Sequence, residues 1–321
     1  MKAVTFYLVG LACLLGPSSA LPRTKPAGPA SIPPLIPARC KAANDVISGM
    51  GTSLKPTVAS AQQVAVAAYF AQLSAVAYCP SVFADKQWKS TMGRKVLPDA
   101  KLHATFYGGP HYTTGYIATS ASKKTIYVAF RGTLSVQQLI TDLQVTKITY
   151  PPVPTAHVAE GFYNSYIEVQ SIVVNTVASL LEQYPSYAVR VTGHSLGGAQ
   201  ATLATLDLYQ RLDAINTNNI ALYTYGELRV GDKDFAAYVT STGISRIRVV
   251  HHADIITFLP TTSQGYVHGG EEYWIKGLLG GGPTQRCVAT YESPYCSNTI
   301  ELLANPVDHI MYYGAKFPLC Y

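Results

Sequence analysis

Apolar positions along this chain change their spacing several times, and each change predicts an element. From Val58 to Tyr78, a run of alanines carries Val64, Tyr69, Phe70, Leu73 and Val76 at helical intervals. The stretch KKTIYVAF, Lys123 to Phe130, is short, β-branched and aromatic, which predicts a strand ending at Arg131-Gly132-Thr133. Helical spacing returns in GFYNSYIEVQSIVVNTVASLLEQYP, where Phe162, Tyr166, Val169, Val173, Val177, Leu180 and Leu181 form one stripe stopped by Pro185. Val189 to Thr192 predicts another strand, followed by an Ala- and Leu-rich helical pattern. Further strands are expected in IALYTYG, in SRIRVVHHAD and between Gly265 and Trp274. Strands alternating with helices predict an α/β domain with a mixed, mostly parallel central sheet flanked by helices.

One junction in this pattern carries chemistry. Gly193-His194-Ser195-Leu196-Gly197 sits where a strand meets a helix. G-x-S-x-G in that context predicts a nucleophile elbow, a tight turn that exposes the serine hydroxyl. Gly193 and Gly197 permit close approach of strand and helix, and the helix directs its positive end toward a developing oxyanion. As a bare pattern the motif says little; between a Val-rich strand and an Ala-rich helix it says a great deal.

A serine nucleophile needs a base, and the base needs an orienting acid. In α/β-hydrolases the order is Ser, then Asp or Glu, then His. Asp254, just past the strand RIRVV, lies at the sheet edge where the elbow opens. The base is then His268 or His309. His268 falls inside an expected strand only 14 positions on, whereas His309, in VDHIMYYG, leaves a connection long enough to fold back over the site. His309 is favoured. A metal site built on His252 and Asp254 would lack further ligands, and His194 is expected to pack beneath the serine. Asp308 is expected to be structural or solvent-facing. Leu196, following the serine, supplies one backbone oxyanion donor, and Thr133 is the candidate for the other. Ile256 and Ile310, beside the acid and base, are candidate walls of an acyl groove.

Composition then sets the compartment. The formal charge is +6, but residues 1–40 hold Lys2, Arg23, Lys25 and Arg39 with no acid, so the rest carries +6 − 4 = +2. That balance gives no electrostatic footprint for nucleic acid. Lys2, an apolar run to Leu15 and the small residues Ser18-Ser19-Ala20 have the layout of a signal peptide, residues 1–20, too short to be a transmembrane anchor. The proline-crowded stretch that follows reads as a pro-segment, residues 21–56 with an uncertain end, and 57–321 as one catalytic domain. A secreted chain keeping Cys79, Cys287, Cys296 and Cys320 is expected to form two disulfides. Three pairings are open, with Cys287–Cys296 the easy closure and Cys79–Cys320 its complement.

In its motifs the chain resembles the filamentous-fungal class 3 lipases, secreted triacylglycerol hydrolases. YVAFRGT, ITDL, YPPV, VTGHSLGGA, LDLYQ, LYTYGELRVGD, STGI, ADIITFLP, GGEEYWI, YCSN and DHIMYYG run in family order over nearly all of residues 60–321. The resemblance implies an α/β-hydrolase fold with a short helical lid, no cofactor, and a monomer acting at a lipid–water interface on acylglycerols. It implies Ser195, Asp254 and His309 as the triad and Thr133 and Leu196 at the oxyanion hole. It also implies Asp142 as a support of the oxyanion loop, and disulfides Cys79–Cys320 and Cys287–Cys296. The lid falls at about residues 134–140, with Leu134, Val136, Leu139 and Ile140 as its apolar face. Departures from the family pattern are Leu139 where many relatives carry tryptophan, Gln137 where some carry arginine, and Leu228 in place of a proline.

Two other readings compete. A feruloyl-type esterase would share the mechanism, Thr133 and the Gly226-Glu227 pair, but such enzymes carry more polar, fixed lids. A non-catalytic binding protein would lack a triad member, and none is missing here.

Overall fold

The computed structural model describes residues 31–41, 55–84, 87–141, 143 and 145–320. The expected signal peptide, part of the expected pro-segment and Asp142 lie outside the described residues. Within them run strands β1 (Thr57–Val58), β2 (Ala100–Gly108), β3 (Thr113–Ser120), β4 (Thr125–Phe130), β5 (Lys147–Thr149), β6 (His157–Ala159), β7 (Ala188–His194), β8 (Ile220–Tyr225), β9 (Ser245–His251), β10 (Glu272–Ile275), β11 (Thr284–Cys287), β12 (Met311–Tyr312) and β13 (Ala315–Lys316). The helices are α1 (Ala61–Val76), α2 (Pro80–Ala84), α3 (Thr91–Val96), α4 (Val136–Thr141), α5 (Glu160–Ile167), α6 (Gln170–Gln183), α7 (Leu196–Arg211) and α8 (Lys233–Ser241).

A sheet of order β1-β11-β10-β9-β8-β7-β4-β3-β2 organises the domain. Its middle, from β4 through β7, β8 and β9 to β10, is parallel, and both ends are antiparallel. Strands β4 and β8 are buried at every position, as parallel strands covered by helices on both faces require. One face packs on α5, α6 and α7 through residues such as Phe130, Phe162, Val177 and Leu203. The other packs on α1 through Phe70, Leu73, Tyr127 and Tyr225. This is the mixed α/β-hydrolase sheet.

Differences from the pattern reading have local causes. The hairpin β2–β3 escaped it because its edge strand AKLHATFYG scatters Lys, His and Thr among apolar positions and lies half exposed. The long helical stripe breaks at Val169, which leaves helical geometry (φ −116°, ψ 0°), while Glu168 turns its carboxylate to His111. The late strand is shorter than expected because Gly265 (φ +78°) and Gly270 (φ +77°) interrupt extended backbone. Two disulfides close, Cys79–Cys320 and Cys287–Cys296.

Residues 31–41 pack on the domain. The Ile36 N–H donates to Gln210 O (2.7 Å), Arg211 reaches Pro33 O (2.7 Å), and Arg39 reaches the carbonyls of Tyr209 (2.7 Å) and Leu212 (3.0 Å). These partners stand at the C-terminal end of α7 and just beyond it, about 24 Å along the helix from Ser195.

Candidate active site

Ser195 is the turn residue between β7 and α7. It is buried and holds φ +60°, a strained conformation for a side-chain-bearing residue. The flanking glycines are what make the turn possible. A Cβ on Gly193 would lie 2.0 Å from Gly197 O, and one on Gly197 would lie 2.5 Å from Phe130 O. The Ser195 N–H donates to Tyr225 O on the neighbouring strand (2.9 Å), which fixes the turn against the sheet. Leu196 opens α7, so its N–H belongs to the helix's first turn, where donors lack intrahelical partners and the dipole is positive.

Asp254 follows β9 and caps a short 3-10 turn, accepting the Ile256 N–H on Oδ1 (2.9 Å). His309 Nδ1 stands 2.8 Å from Asp254 Oδ2 and 3.0 Å from Oδ1, and the Tyr312 hydroxyl donates to the same carboxylate. A carboxylate only accepts, so the His309 proton sits on Nδ1 and Nε2 is left with its lone pair. Nε2 is buried and makes no hydrogen bond. Of the two candidate bases, His268 is engaged by Thr257 O at 2.9 Å, while His309 holds Asp254.

Asp308 is buried rather than solvent-facing. Its Oδ2 accepts from His252 Nδ1 (2.8 Å), the Ala253 N–H (3.0 Å) and Asn305 Nδ2 (2.8 Å), so it pins the His309 segment to the Asp254 loop. The turn after Asp254 is held from outside by Arg229, which pairs with Glu292 and donates to the carbonyls of Phe258 and Pro260. Leu228, at the position of the family's proline, is buried in the core. Burial pushes the Glu292 carboxyl up, but the Arg229 guanidinium and the His268 N–H outweigh it and hold the group below its usual value of 4.5. A depressed native value contributes stability above 4.5 that is lost as pH falls through the native value. Glu292→Gln, which strands a buried guanidinium, is expected to cost roughly 3 kcal/mol at pH 7. It should also flatten the acid limb of the Tm–pH profile; an unchanged acid limb would refute this assignment.

Thr133 and Leu196 share the wall of a cavity of about 460 Å³ with Tyr112, Leu139, Leu143 and Phe162. Ile256 and Ile310, the expected acyl-groove walls, stand elsewhere. Ile256 is sealed in the core and Ile310 is 38% exposed; neither lines this cavity. The cavity walls come from the β2–β3 hairpin tip and α5. Phe162 was visible in the sequence as one member of a helical stripe, but nothing in Pro110-His111-Tyr112 announced a wall. At the rim, His111 Nδ1 lies 2.5 Å from Glu168 Oε1. Helix α4 roofs the cavity: Val136, Leu139 and Ile140 pack on the core, Gln137 and Gln138 face solvent, and Leu134 is 59% exposed. A larger groove of about 760 Å³ between α1, α8 and β9–β11 contains no histidine, cysteine or elbow.

Known proteins with these features are recognisable in both sequence and structure. Residues 127–264 match the family model for lipase (class 3). The chain is 40% identical over 279 residues to the lipase of Rhizomucor miehei, an alignment covering 86% of this chain and 76% of that lipase. Among solved structures, the native Rhizomucor miehei lipase propeptide complex superposes with a TM-score of 0.83 at 38% identity, covering 91% of this chain and all of that one. A triacylglycerol lipase described as having a serine protease triad at its catalytic centre superposes with a TM-score of 0.80 at 40% identity, covering 83% of this chain and all of that one. With an elbow, an Asp–His pair at the sheet edge and this extent of similarity, the chain belongs to the class 3 lipase family.

Proposed function

We propose that this protein is a secreted triacylglycerol lipase that transfers the acyl group of a glycerol ester to Ser195 and then to water. The observation that carries the reading is His309: its Nδ1 is committed to Asp254 and its Nε2 is free and buried near the elbow. A free Nε2 takes the Ser195 Oγ proton as Oγ attacks the ester carbonyl. Catalytic hydrogen bonds of this kind often form only once substrate is bound. The N–H of Leu196 and the N–H and hydroxyl of Thr133 receive the oxyanion. His309 then protonates the departing glycerol oxygen, and a water deprotonated by His309 releases the fatty acid.

The cavity under α4 accommodates the acyl chain, and α4 is the lid. Leu134, Val136, Leu139 and Ile140 would turn from the protein to a lipid–water interface when it opens. The expected leader and the two disulfides support export, and the enzyme acts as a monomer. The Glu227 carboxyl offers no support to a ferulate specificity, because it is buried against Thr202, Thr224 and Arg246.

Emulsified triolein and soluble methyl ferulate separate the readings. Hydrolysis of triolein that climbs once droplets form is expected. Turnover of ferulate with no triolein hydrolysis would overturn the proposal.

A further inference from the structure

Beneath the elbow lies a chain of hydrogen bonds whose direction is fixed by its ends. His194 Nε2 is 2.9 Å from the backbone carbonyl of His309, His194 Nδ1 is 2.7 Å from Tyr78 Oη, and the Gly132 N–H donates to the same Tyr78 oxygen at 3.0 Å. The His309 carbonyl can only accept, so Nε2 of neutral His194 carries the proton and Nδ1 is bare. Tyr78 must then donate to Nδ1, which leaves its oxygen lone pair for Gly132. One arrangement of protons satisfies every group. Burial drives the His194 pKa well below its usual value, and the neighbouring His309 adds to this.

The two ends of the chain are the two halves of the site. His309 carries the free Nε2. Gly132 immediately precedes Thr133, and a Cβ on Gly132 would sit 2.7 Å from Ser195 Cβ, so the oxyanion loop rests directly on the nucleophile. The His194 ring is stacked on Phe317 (centroids 3.8 Å apart, 7° between planes) and lies 4.4 Å from the His309 ring. A cation on His194 would oppose the imidazolium that acyl transfer creates on His309; a neutral ring does not.

We propose that Tyr78 and His194 are positioning residues that lock the oxyanion loop to the base segment, with His194 held as the neutral Nε2–H tautomer. The proposal rests on the acyl-transfer reading and deepens it. Neither side chain touches substrate. Their effect is on where Thr133 stands relative to Ser195, and a displacement of about 1 Å in such a site costs on the order of 100-fold.

The test uses the full chain and a soluble ester, p-nitrophenyl butyrate, so that interface binding plays no part. Tyr78→Phe keeps the ring and is expected to lower kcat about tenfold with KM unchanged. Thr133→Val alone is expected to lower kcat about 100-fold. The double variant should fall clearly short of the roughly 1,000-fold product of the two, because the lost hydroxyl of Tyr78 acts through the same loop. Losses that multiply, or an unaltered kcat in Tyr78→Phe, would overturn the proposal. Independently of any variant's folding, 15N NMR of the histidine-labelled wild type should report His194 protonated on Nε2 alone, and a proton on Nδ1 would overturn it as well. If Ser195→Ala kept full activity, the acyl-transfer reading would fall, whereas the tautomer result would stand or fall on its own.

Discussion

Ser195→Ala is expected to lower kcat on any ester this enzyme hydrolyses by about five to six orders of magnitude. Removing Oγ removes the hydroxyl that forms the acyl intermediate in the proposed mechanism. Folding should be preserved, since the serine's backbone, not its hydroxyl, makes the bonds to Tyr225 and Gly198 that define the turn. Some rate should survive over water, because the Leu196 N–H and the cavity remain. Comparing kcat with the thermal unfolding midpoint of the same preparation checks both halves. A variant retaining a tenth of wild-type kcat would move the nucleophile elsewhere.

Asp254→Asn is expected to cost about 10⁴-fold in kcat, or about 5.5 kcal/mol of transition-state stabilisation. Three donors converge on the Asp254 carboxylate: the Ile256 N–H, His309 Nδ1–H and the Tyr312 hydroxyl. Asparagine offers one accepting oxygen and one NH₂ group. Facing that NH₂, His309 Nδ1 must accept, which moves the ring proton to Nε2 and closes the site's base. The loss should appear in kcat rather than KM. A loss of tenfold or less would mean that the Tyr312 and Ile256 donors, not the carboxylate, set the histidine's tautomer.

How much of this was legible beforehand depended on sequence distance. The elbow was readable because Gly193, Ser195 and Gly197 are a local requirement of one turn. Asp254 was readable as a candidate because it follows the parallel strand β9 at the edge where the elbow opens, and His309 because the long connection before it can fold back to that edge. The cavity was not readable in the same way. Its walls are Tyr112 on a hairpin with weak alternation and Phe162 on a helix whose stripe looked uniformly core-facing. Ile256 illustrates the limit: adjacency to a functional residue along the chain placed it near the acid, but on a tight turn its side chain points into the core. Tyr78 and His194, 116 positions apart, carry no mutual signal at all.

The disulfide Cys79–Cys320 joins positions 241 apart, and it does so one residue from Tyr78 and three from Phe317, the ring on which His194 lies. A single covalent bond thus borders both the tyrosine that holds Gly132 and the ring that carries His194. Reducing it would loosen both supports together and leave the Ser195 turn itself, which is held by Tyr225 and Gly198, untouched.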